Sequence, residues 1–268
     1  MKKLFIVAGE PSGDLHASNL VKELKKLDAS IDFKGWGGEL MEAQGVELKN
    51  HLKNLSFMGF LEVLLNLRKI LKNFKLCKDQ LLEYNPDLIV MVDYPGFNLR
   101  MTKWANKKGF KVVYYISPQI WAWKSSRVET IKANVDRMYC ILPFEKDFYS
   151  KYDFEVNFMG HPLMDEILSF EQKERSPSFK KDKPIIAILP GSREQEIKRK
   201  LGLMLNAVSK YQDFDIYVAC APNLDERFFN DYKEKFSHVR FVSGRTYELL
   251  METDYAIVTS GTATLETA

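Results

Sequence analysis

Five loops of the 268-residue sequence join acids, hydroxyls, glycines and tryptophans to the ends of apolar runs. In VDYPGFN, residues 92–98, Asp93 directly follows an apolar run, and the Pro-Gly pair turns the chain. Partial burial at a strand end would raise the pKa of this carboxyl group towards neutrality, which suits a general base acting on a substrate hydroxyl. A carboxylate that only caps the turn explains the same residues, so this loop alone leaves both interpretations open.

The loop GEPSGD, residues 9–14, has two glycines that let a ligand approach the backbone closely. The helix predicted after it would offer free N–H groups to an anion, although the spacing matches neither a Walker A loop nor GxGxxG. A tight turn with Ser12 or Asp14 as the helix N-cap is an equally good interpretation.

Two junctions in the second half of the sequence, LPGSR at 189–193 and SGTATLE at 260–266, present small residues and hydroxyls at predicted helix N-termini. Arg193 adds a planar, permanently charged fork, so the two junctions could hold a nucleotide diphosphate without a metal ion. Ordinary capped turns explain Ser192 and Thr262 but give Arg193 no role, which favours a binding site.

Aromatic and imidazole side chains are less specific signals. The loop ISPQIWAW, residues 116–123, carries Trp121 and Trp123, whose rings could line a sugar or acyl site, although core or interface packing is the commoner use of tryptophan. The histidines show no metal-ligand spacing, and the turn GHP at 160–162 is more typical of a hydrogen-bonded turn histidine; they are His16, His51, His161 and His238.

An apolar stripe at helical spacing runs from residue 57 to residue 74 and is wider than one core face needs. Basic residues crowd the same segment, as in a helix that lies on anionic lipid. A core helix with a solvated basic side is an equally good interpretation. The stripe comprises Phe57, Phe60, Leu61, Leu64, Leu67, Leu71 and Phe74, widened by Val63, Leu65 and Ile70, and the basic residues are Arg68, Lys69, Lys72, Lys75 and Lys78.

The elements that position these loops are predicted from continuous apolar runs, which are typical of parallel strands covered on both faces. Such runs occupy 4–8, 88–92, 112–116, 138–142 and 156–159, and the pattern restarts at 185–189, 216–220, 239–242 and 255–258. The polar, proline-containing stretch 171–184 has the composition of a linker. We therefore predict an α/β protein with a first domain at 1–170 and a second at 185–268, whose sheet is incomplete because too few residues remain to close it.

Composition narrows the class of protein. A net charge of +3 is too small to indicate a nucleic-acid partner. The three cysteines are far apart and lack ligand spacing, which favours a reducing cytoplasm. No run approaches the ~20 apolar residues that span a bilayer, so we expect any membrane contact to be peripheral.

Taken together in their order, eight motifs resemble the lipid-A-disaccharide synthase family, and the resemblance runs essentially end to end. The resemblance implies a GT-B fold of two Rossmann-like, doubly wound parallel-sheet domains, with acceptor held mainly by the first, UDP-sugar mainly by the second, and the cleft between them. It implies transfer from UDP-2,3-diacylglucosamine to 2,3-diacylglucosamine 1-phosphate, giving a β-1,6-linked disaccharide 1-phosphate and UDP with inversion. The motifs are AGEPSGD at 8–14, FMGFLEV at 57–63, VDYPGFN at 92–98, SPQIWAW at 117–123, LPFE at 142–145, GHP at 160–162, LPGSR at 189–193 and SGTATLE at 260–266.

Roles follow from the resemblance residue by residue. Asp93 matches the proposed general base. The substrate-binding positions are Glu10, Ser12 and Gly13 on the acceptor side, and Gly191, Ser192, Arg193, Gly261, Thr262 and Glu266 on the nucleotide side. The membrane-contact positions are Phe57, Phe60, Leu61, Leu64, Leu65, Leu67 and Leu71.

The resemblance also implies the surroundings of the enzyme. No metal and no cofactor are expected, because the UDP-sugar is itself a substrate, and nucleic acid is not expected as a partner. The expected location is cytoplasmic, peripheral on the inner membrane, with assembly into a homodimer left open. The family continues for about another hundred residues, so a C-terminally truncated chain is expected and its activity is left open.

Two other functions are compatible with these residues. A related GT-B enzyme, such as a UDP-N-acetylglucosamine epimerase or a cell-wall transferase, would act on another UDP-sugar and leave the wide apolar stripe unexplained. A non-catalytic fragment would bind lipid without turnover.

Overall fold

The continuous apolar runs of the first part of the chain form a seven-stranded parallel sheet. The computed structural model describes residues 2–55, 67–171, 179, 183–221, 224–259 and 261–268. The strand order is β3-β2-β1-β4-β5-β6-β7, and all neighbours are parallel. The strands are β1 (Lys3–Ala8), β2 (Asp32–Gly37), β3 (Glu47–His51), β4 (Leu88–Val92), β5 (Val112–Tyr115), β6 (Arg137–Cys140) and β7 (Asn157–Phe158).

Helices connect these strands and bury their apolar faces against both sides of the sheet. The described helices are α1 (Pro11–Leu27), α2 (Glu39–Ala43), α3 (Leu67–Tyr84), α4 (Pro95–Lys107), α5 (Ile120–Trp123), α6 (Val128–Asn134) and α7 (Pro143–Ser150), with short 3-10 turns at Leu52–Asn54 and Ser125–Arg127. Strands β1, β4, β5, β6 and β7 confirm the predicted strand positions, whereas β2 and β3 were not predicted.

The second part of the chain contains a four-stranded parallel sheet with the order β10-β9-β8-β11. Its strands are β8 (Ile185–Leu189), β9 (Asp215–Cys220), β10 (Val239–Ser243) and β11 (Tyr255–Val258). Its described helices are α8 (Leu163–Glu171), α9 (Glu194–Val208), α10 (Asn230–Lys235), α11 (Thr246–Glu252) and α12 (Thr262–Thr267), with a 3-10 turn at Glu226–Phe229. Two parallel sheets covered by helices are the α/β architecture that the sequence predicted.

Internal contacts divide the chain into two units, Met1–Pro162 and Leu163–Ala268. Helix α8 therefore groups with the second unit, although the predicted first domain extends to residue 170. Most of the predicted linker at 171–184 lies outside the described residues, so the linker stays a prediction.

Asp14 anchors the loop between β2 and α2. Its buried carboxylate accepts hydrogen bonds from the backbone N–H groups of Gly38 (2.7 Å), Leu40 (3.1 Å) and Met41 (3.2 Å). Helix α1 itself begins at Pro11, with Glu10 in the N-cap position. The interpretation of Ser12 or Asp14 as the N-cap of α1 is thus wrong, because the helix starts earlier and Asp14 caps the neighbouring helix instead.

Replacing Asp14 by alanine should lower the free energy of unfolding by about 2–3 kcal/mol, because three N–H groups lose a charged acceptor. Urea denaturation followed by circular dichroism measures the change. The matched control is Asp79→Ala, at an exposed position of α3, which should change stability by less than about 0.5 kcal/mol. Equal destabilisation of the two variants would contradict the capping role.

Candidate active site

The carboxyl ends of β1 and β4 bring two of the predicted loops together. The strands run in register with Ala8 opposite Val92, so the turn at Gly9 lies beside the turn at Asp93. A Cβ atom on Gly9 would lie 2.2 Å from Cδ1 of Tyr94, so only glycine fits against that ring. The two turns therefore form one packed edge of the sheet.

The backbone at Asp93 is held in an unusual conformation. Asp93 (φ 43°) and Tyr94 (φ 49°) are both left-handed, and Ile116 (φ 68°) at the end of the adjacent strand β5 is left-handed as well. Such conformations are rare outside glycine and cluster at functional sites. The carbonyl oxygen of Asp93 accepts hydrogen bonds from Nδ2 of Asn98 (2.8 Å) and from the hydroxyl of Tyr114 (2.6 Å).

The carboxyl group of Asp93 has the electrostatic properties of a general base. Burial, and then the negative charge of Glu10, raise its pKa to about 7, while the backbone N–H of Tyr94 acts in the opposite direction. The residue stays partly exposed at the sheet edge, so a substrate can reach it. A carboxylate whose pKa is near neutrality can take up a proton from a hydroxyl and return it to solvent.

The remaining acceptor-side positions lie close by, on the same edge. Gly13 is buried in the first turn of α1, where a Cβ atom would lie 3.5 Å from Cβ of Ala8, an ordinary contact. Ser12 beside it is partly exposed. Packing alone does not demand glycine at position 13, and ligand binding by Glu10, Ser12 and Gly13 stays a prediction.

The second unit brings the two nucleotide-side junctions together in the same way. Strand β11 pairs with β8, and the N–H of Thr259 donates to the carbonyl of Leu189 (2.9 Å). Gly191 has φ +109°, and a Cβ atom there would lie 2.8 Å from Oε2 of Glu196 and 3.6 Å from Cγ2 of Thr259. The backbone conformation therefore favours glycine at position 191, whereas the close atom is the end of a flexible glutamate side chain that can move.

Arg193 has a structural partner that the sequence argument missed. It occupies the N-cap position of α9, and its Nη1 lies 3.4 Å from Oε1 of Glu196. The Arg193 side chain makes no capping hydrogen bond, so an ion pair in the first turn of α9 is the structural role that the sequence argument did not consider, and its binding role stays a prediction. Both side chains are partly exposed, so the ion pair is weak and the guanidinium remains accessible to an anion. Ser192, next to it, is exposed.

The loop after β11 carries the buried hydroxyl of Thr259, and the helix after this loop carries the carboxyl group of Glu266. Oγ1 of Thr259 is buried without a hydrogen-bond partner among the residues that the structure describes. Gly261, at φ +152°, precedes α12, on which Oε1 of Glu266 accepts from the hydroxyl of Tyr247 (3.1 Å). Burial raises the pKa of Glu266. The side chain of Thr262 lies outside the described part, and the ligand contacts of all these residues stay predictions.

Aromatic side chains cluster at the carboxyl ends of β5 and β6. Trp121 (36% exposed) and Phe144 (44% exposed) meet edge to face with ring centroids 4.8 Å apart, so Trp121 lies at the surface and does not fill the core.

His16 and His161 also meet edge to face, with ring centroids 6.5 Å apart, a contact that their separation in sequence did not indicate. Burial lowers the pKa of His161. The side chain of Trp123 is outside the described part.

The predicted membrane stripe falls partly on α3. Leu71 is 58% exposed, and the neighbouring Arg68, Lys72 and Lys75 are exposed as well. Phe74 instead stacks on Phe97 with ring centroids 4.4 Å apart and faces the core, so this end of the stripe fits the alternative interpretation of a core helix with a basic side. Phe57, Phe60, Leu61, Leu64 and Leu65 lie outside the described residues, as does the side chain of Leu67.

Neither a membrane-spanning helix nor a metal-binding cluster occurs among the described residues. None of the described helices combines the length and apolar character that crossing a membrane requires. Within the same ranges, no three His, Cys, Asp or Glu side chains converge in a way that could hold a metal ion.

The protein has two parallel-sheet units, and in each the loops with the candidate site residues follow the carboxyl ends of the strands. This fold defines a protein of the GT-B class. Solved structures share this fold at low identity: UDP-GlcNAc 2-epimerase of Methanocaldococcus jannaschii, in complex with UDP-GlcNAc and UDP, aligns with a TM-score of 0.68 and 14% identity over 98% of this chain and 80% of its own. The Neisseria meningitidis UDP-GlcNAc 2-epimerase bound to UDP-GlcNAc gives 0.65 and 14% over 97% and 78%. At such identities the likeness shows the fold alone.

Sequence relatives identify the family within that class. The family model described as Lipid-A-disaccharide synthetase matches residues 4–268. Lipid-A-disaccharide synthase 1 of Legionella pneumophila (strain Paris) is 41% identical over 280 residues, covering 99% of this chain and 72% of the relative. The Syntrophus aciditrophicus synthase is 40% identical over 276 residues, covering 100% and 72%. The chain belongs to the lipid-A-disaccharide synthase family, which confirms the resemblance and its assignment to the glycosyltransferases of lipid A biosynthesis.

Replacing Glu10 by glutamine should lower the pKa of Asp93 from its value of about 7, because the substitution removes the like charge that opposes ionisation. Carbon-13 NMR of the aspartate carboxyl groups measures the titration, with the Asp93 signal assigned by its absence from Asp93→Asn. The control Glu23→Gln, at an exposed position further along α1, should leave the titration unchanged. An Asp93 titration that is the same with glutamine at position 10 would refute the coupling.

Proposed function

We propose that the protein transfers the sugar of UDP-2,3-diacylglucosamine to 2,3-diacylglucosamine 1-phosphate, with inversion at the anomeric carbon and release of UDP. The family supports this reaction, and the single observation that carries the assignment of chemistry is the partly exposed Asp93 carboxyl group with its pKa near neutrality. The reaction uses no cofactor in this proposal, because the sugar nucleotide is consumed as a substrate.

The ionised carboxylate of Asp93 takes the proton from the 6-hydroxyl of the acceptor as that oxygen forms a bond to C1 of the donor. The bond from C1 to the UDP oxygen breaks, and the leaving group departs with the electron pair. Its diphosphate gains negative charge, which the N-terminus of α9 and the guanidinium of Arg193 can stabilise. Gly191 allows the diphosphate to approach the backbone, and the buried hydroxyl of Thr259 offers a further hydrogen bond.

Membrane association is the second part of the proposal. Both substrates carry acyl chains, and the exposed face of α3 presents Leu71 among Arg68, Lys72 and Lys75. Basic residues close to an anionic lipid surface each contribute about 1 kcal/mol of attraction. We place this face of α3 against the cytoplasmic side of the inner membrane, where the protein would collect its substrates as a peripheral enzyme.

Replacing Asp93 by asparagine should reduce the rate of UDP release by about 10²–10⁴-fold, because the amide cannot accept the proton. The assay measures UDP released from acylated donor and acceptor, and in the unsubstituted protein the rate should rise with pH through about 7 as Asp93 ionises. Asp213→Asn, at an exposed turn of the second unit, is the matched control and should keep full activity. Equal turnover of non-acylated sugars would instead favour a related enzyme acting on soluble UDP-sugars.

Replacing Lys72 and Lys75 together by glutamate should weaken binding to vesicles that contain anionic phospholipid by about tenfold or more, because two attractive charges become repulsive. Vesicle co-sedimentation at low and high salt measures the effect, which should shrink as salt screens the charges. The control, Lys103→Glu with Lys107→Glu, makes the same change in charge on exposed positions of α4. Equal losses for the two pairs would show only a net-charge effect and no membrane-facing surface on α3.

A further inference from the structure

The hydroxyl of Tyr114 is placed to orient the proposed catalytic base without touching the substrate. Tyr114 lies in the middle of β5, is fully buried, and donates to the carbonyl oxygen of Asp93 at 2.6 Å. We propose that Tyr114 is a positioning residue for the sugar-transfer reaction, one that fixes the direction of the Asp93 carboxylate through the backbone of the turn. This inference rests on the proposed role of Asp93.

The turn needs such support because its conformation is locally unfavourable. Two consecutive left-handed residues that are not glycine, Asp93 and Tyr94, persist only where surrounding contacts hold them. The contact at Tyr94 is a ring packed on Gly9, which restrains the second residue. At Asp93 the backbone N–H donates to the carbonyl of Tyr115 (3.0 Å), and the carbonyl group accepts from two side-chain donors.

Asn98 is the second donor and ties the same carbonyl to the ends of two strands. Its fully buried Nδ2 lies 2.8 Å from the oxygen of Asp93, 3.2 Å from that of Val92 at the end of β4, and 3.3 Å from that of Val7 near the end of β1. Because the amide has two N–H donors for three acceptors, the three carbonyl groups cannot all receive a full hydrogen bond from it, whereas the Tyr114 hydroxyl donates to the Asp93 carbonyl. Loss of Tyr114 should therefore loosen the turn, while Asn98 still holds the chain in place.

The hydroxyl of Tyr114 remains a hydrogen-bond donor at neutral pH. Burial raises the pKa of Tyr114 well above its ordinary value, so its hydroxyl keeps its proton. The charged and titratable groups that act on this cluster are Glu10 and Tyr94 beside Asp93, and Arg127 and Tyr149 beside Tyr114. None of them removes the proton that Tyr114 donates to the Asp93 carbonyl.

The test is Tyr114→Phe, which deletes one oxygen atom and keeps the ring in the core. We expect kcat for UDP release to fall roughly ten- to a hundredfold with KM for the UDP-sugar unchanged, because a small displacement of the base reduces the rate without affecting donor binding. We also expect the acid limb of the pH profile to move to lower pH, because a loosened turn lets water reach the Asp93 carboxyl group.

The chain supplies a matched control. Tyr84→Phe removes a hydroxyl that lies 3.0 Å from the backbone carbonyl oxygen and 2.9 Å from a carboxylate oxygen of another aspartate, Asp32. This contact lies at the start of β2, at the opposite edge of the same sheet. Both substitutions remove one largely buried hydroxyl, so each should lower the urea midpoint, and Tyr84→Phe by at least as much because a carboxylate is the stronger acceptor, yet Tyr84→Phe should leave kcat and the pH profile unchanged.

A second readout does not depend on turnover. Carbon-13 NMR should show Asp93 titrating at lower pH with phenylalanine at position 114 than in the unsubstituted protein, and at an unchanged pH with phenylalanine at position 84. Unchanged kcat and an unchanged Asp93 titration in Tyr114→Phe would overturn the positioning role. If Asp93→Asn stayed fully active, or the unsubstituted protein released no UDP while the titration still moved, the proposed function would fail and the structural coupling would stand.

Discussion

The register between β1 and β4 is the constraint on which the first unit depends. It sets Gly9 beside Asp93 and packs the ring of Tyr94 where any side chain on Gly9 would have to be. The left-handed turn follows from this crowding, and so does the environment of the Asp93 carboxyl group, which is close to Glu10 and largely withdrawn from water. The pairing thus brings together the groups that set packing, backbone conformation and acid strength at this edge.

In the second unit, paired parallel strands again bring two loops together, but here the loops carry a positively charged side chain. There the pairing of β8 with β11 brings Gly191 close to Thr259, and the long helix α9 begins directly after Arg193. One unit therefore presents a carboxylate that can receive a proton, and the other presents N–H groups and a guanidinium suited to a leaving diphosphate. Each set comes from loops after parallel strands, where α/β sheets place their ligands.

The sequence predicted those features that depend on local pattern. Strands buried on both faces are continuous apolar runs, which is why β1, β4 and β8 could be recognised. Strand β2 could not, because its sequence DFKGWG interrupts the apolar residues Phe33 and Trp36 with charged residues and glycines. Its Gly35 is required by a contact with the carbonyl of Ile6, 2.1 Å from where a Cβ atom would lie. The position of Asp93 at the end of a buried strand predicted that burial raises its pKa, as it does in the structure. The pairing of Arg193 with Glu196 and the supports of the turn depend on three-dimensional contacts that spacing alone does not specify.

The ion pair between Arg193 and Glu196 has a consequence for selectivity among anions. Glu196 already satisfies part of the guanidinium, and its Oε2 lies against Gly191, so an arriving anion has to compete with a resident carboxylate. A singly charged species gains little from that exchange, since a partly exposed pair of this kind is worth about 1 kcal/mol or less. A diphosphate brings more charge and more acceptor oxygens, and it can engage the guanidinium and the helix terminus at the same time. The resident carboxylate is thus a weak competitor, and it favours an anion that contacts both the guanidinium and the helix terminus over one that contacts the guanidinium alone.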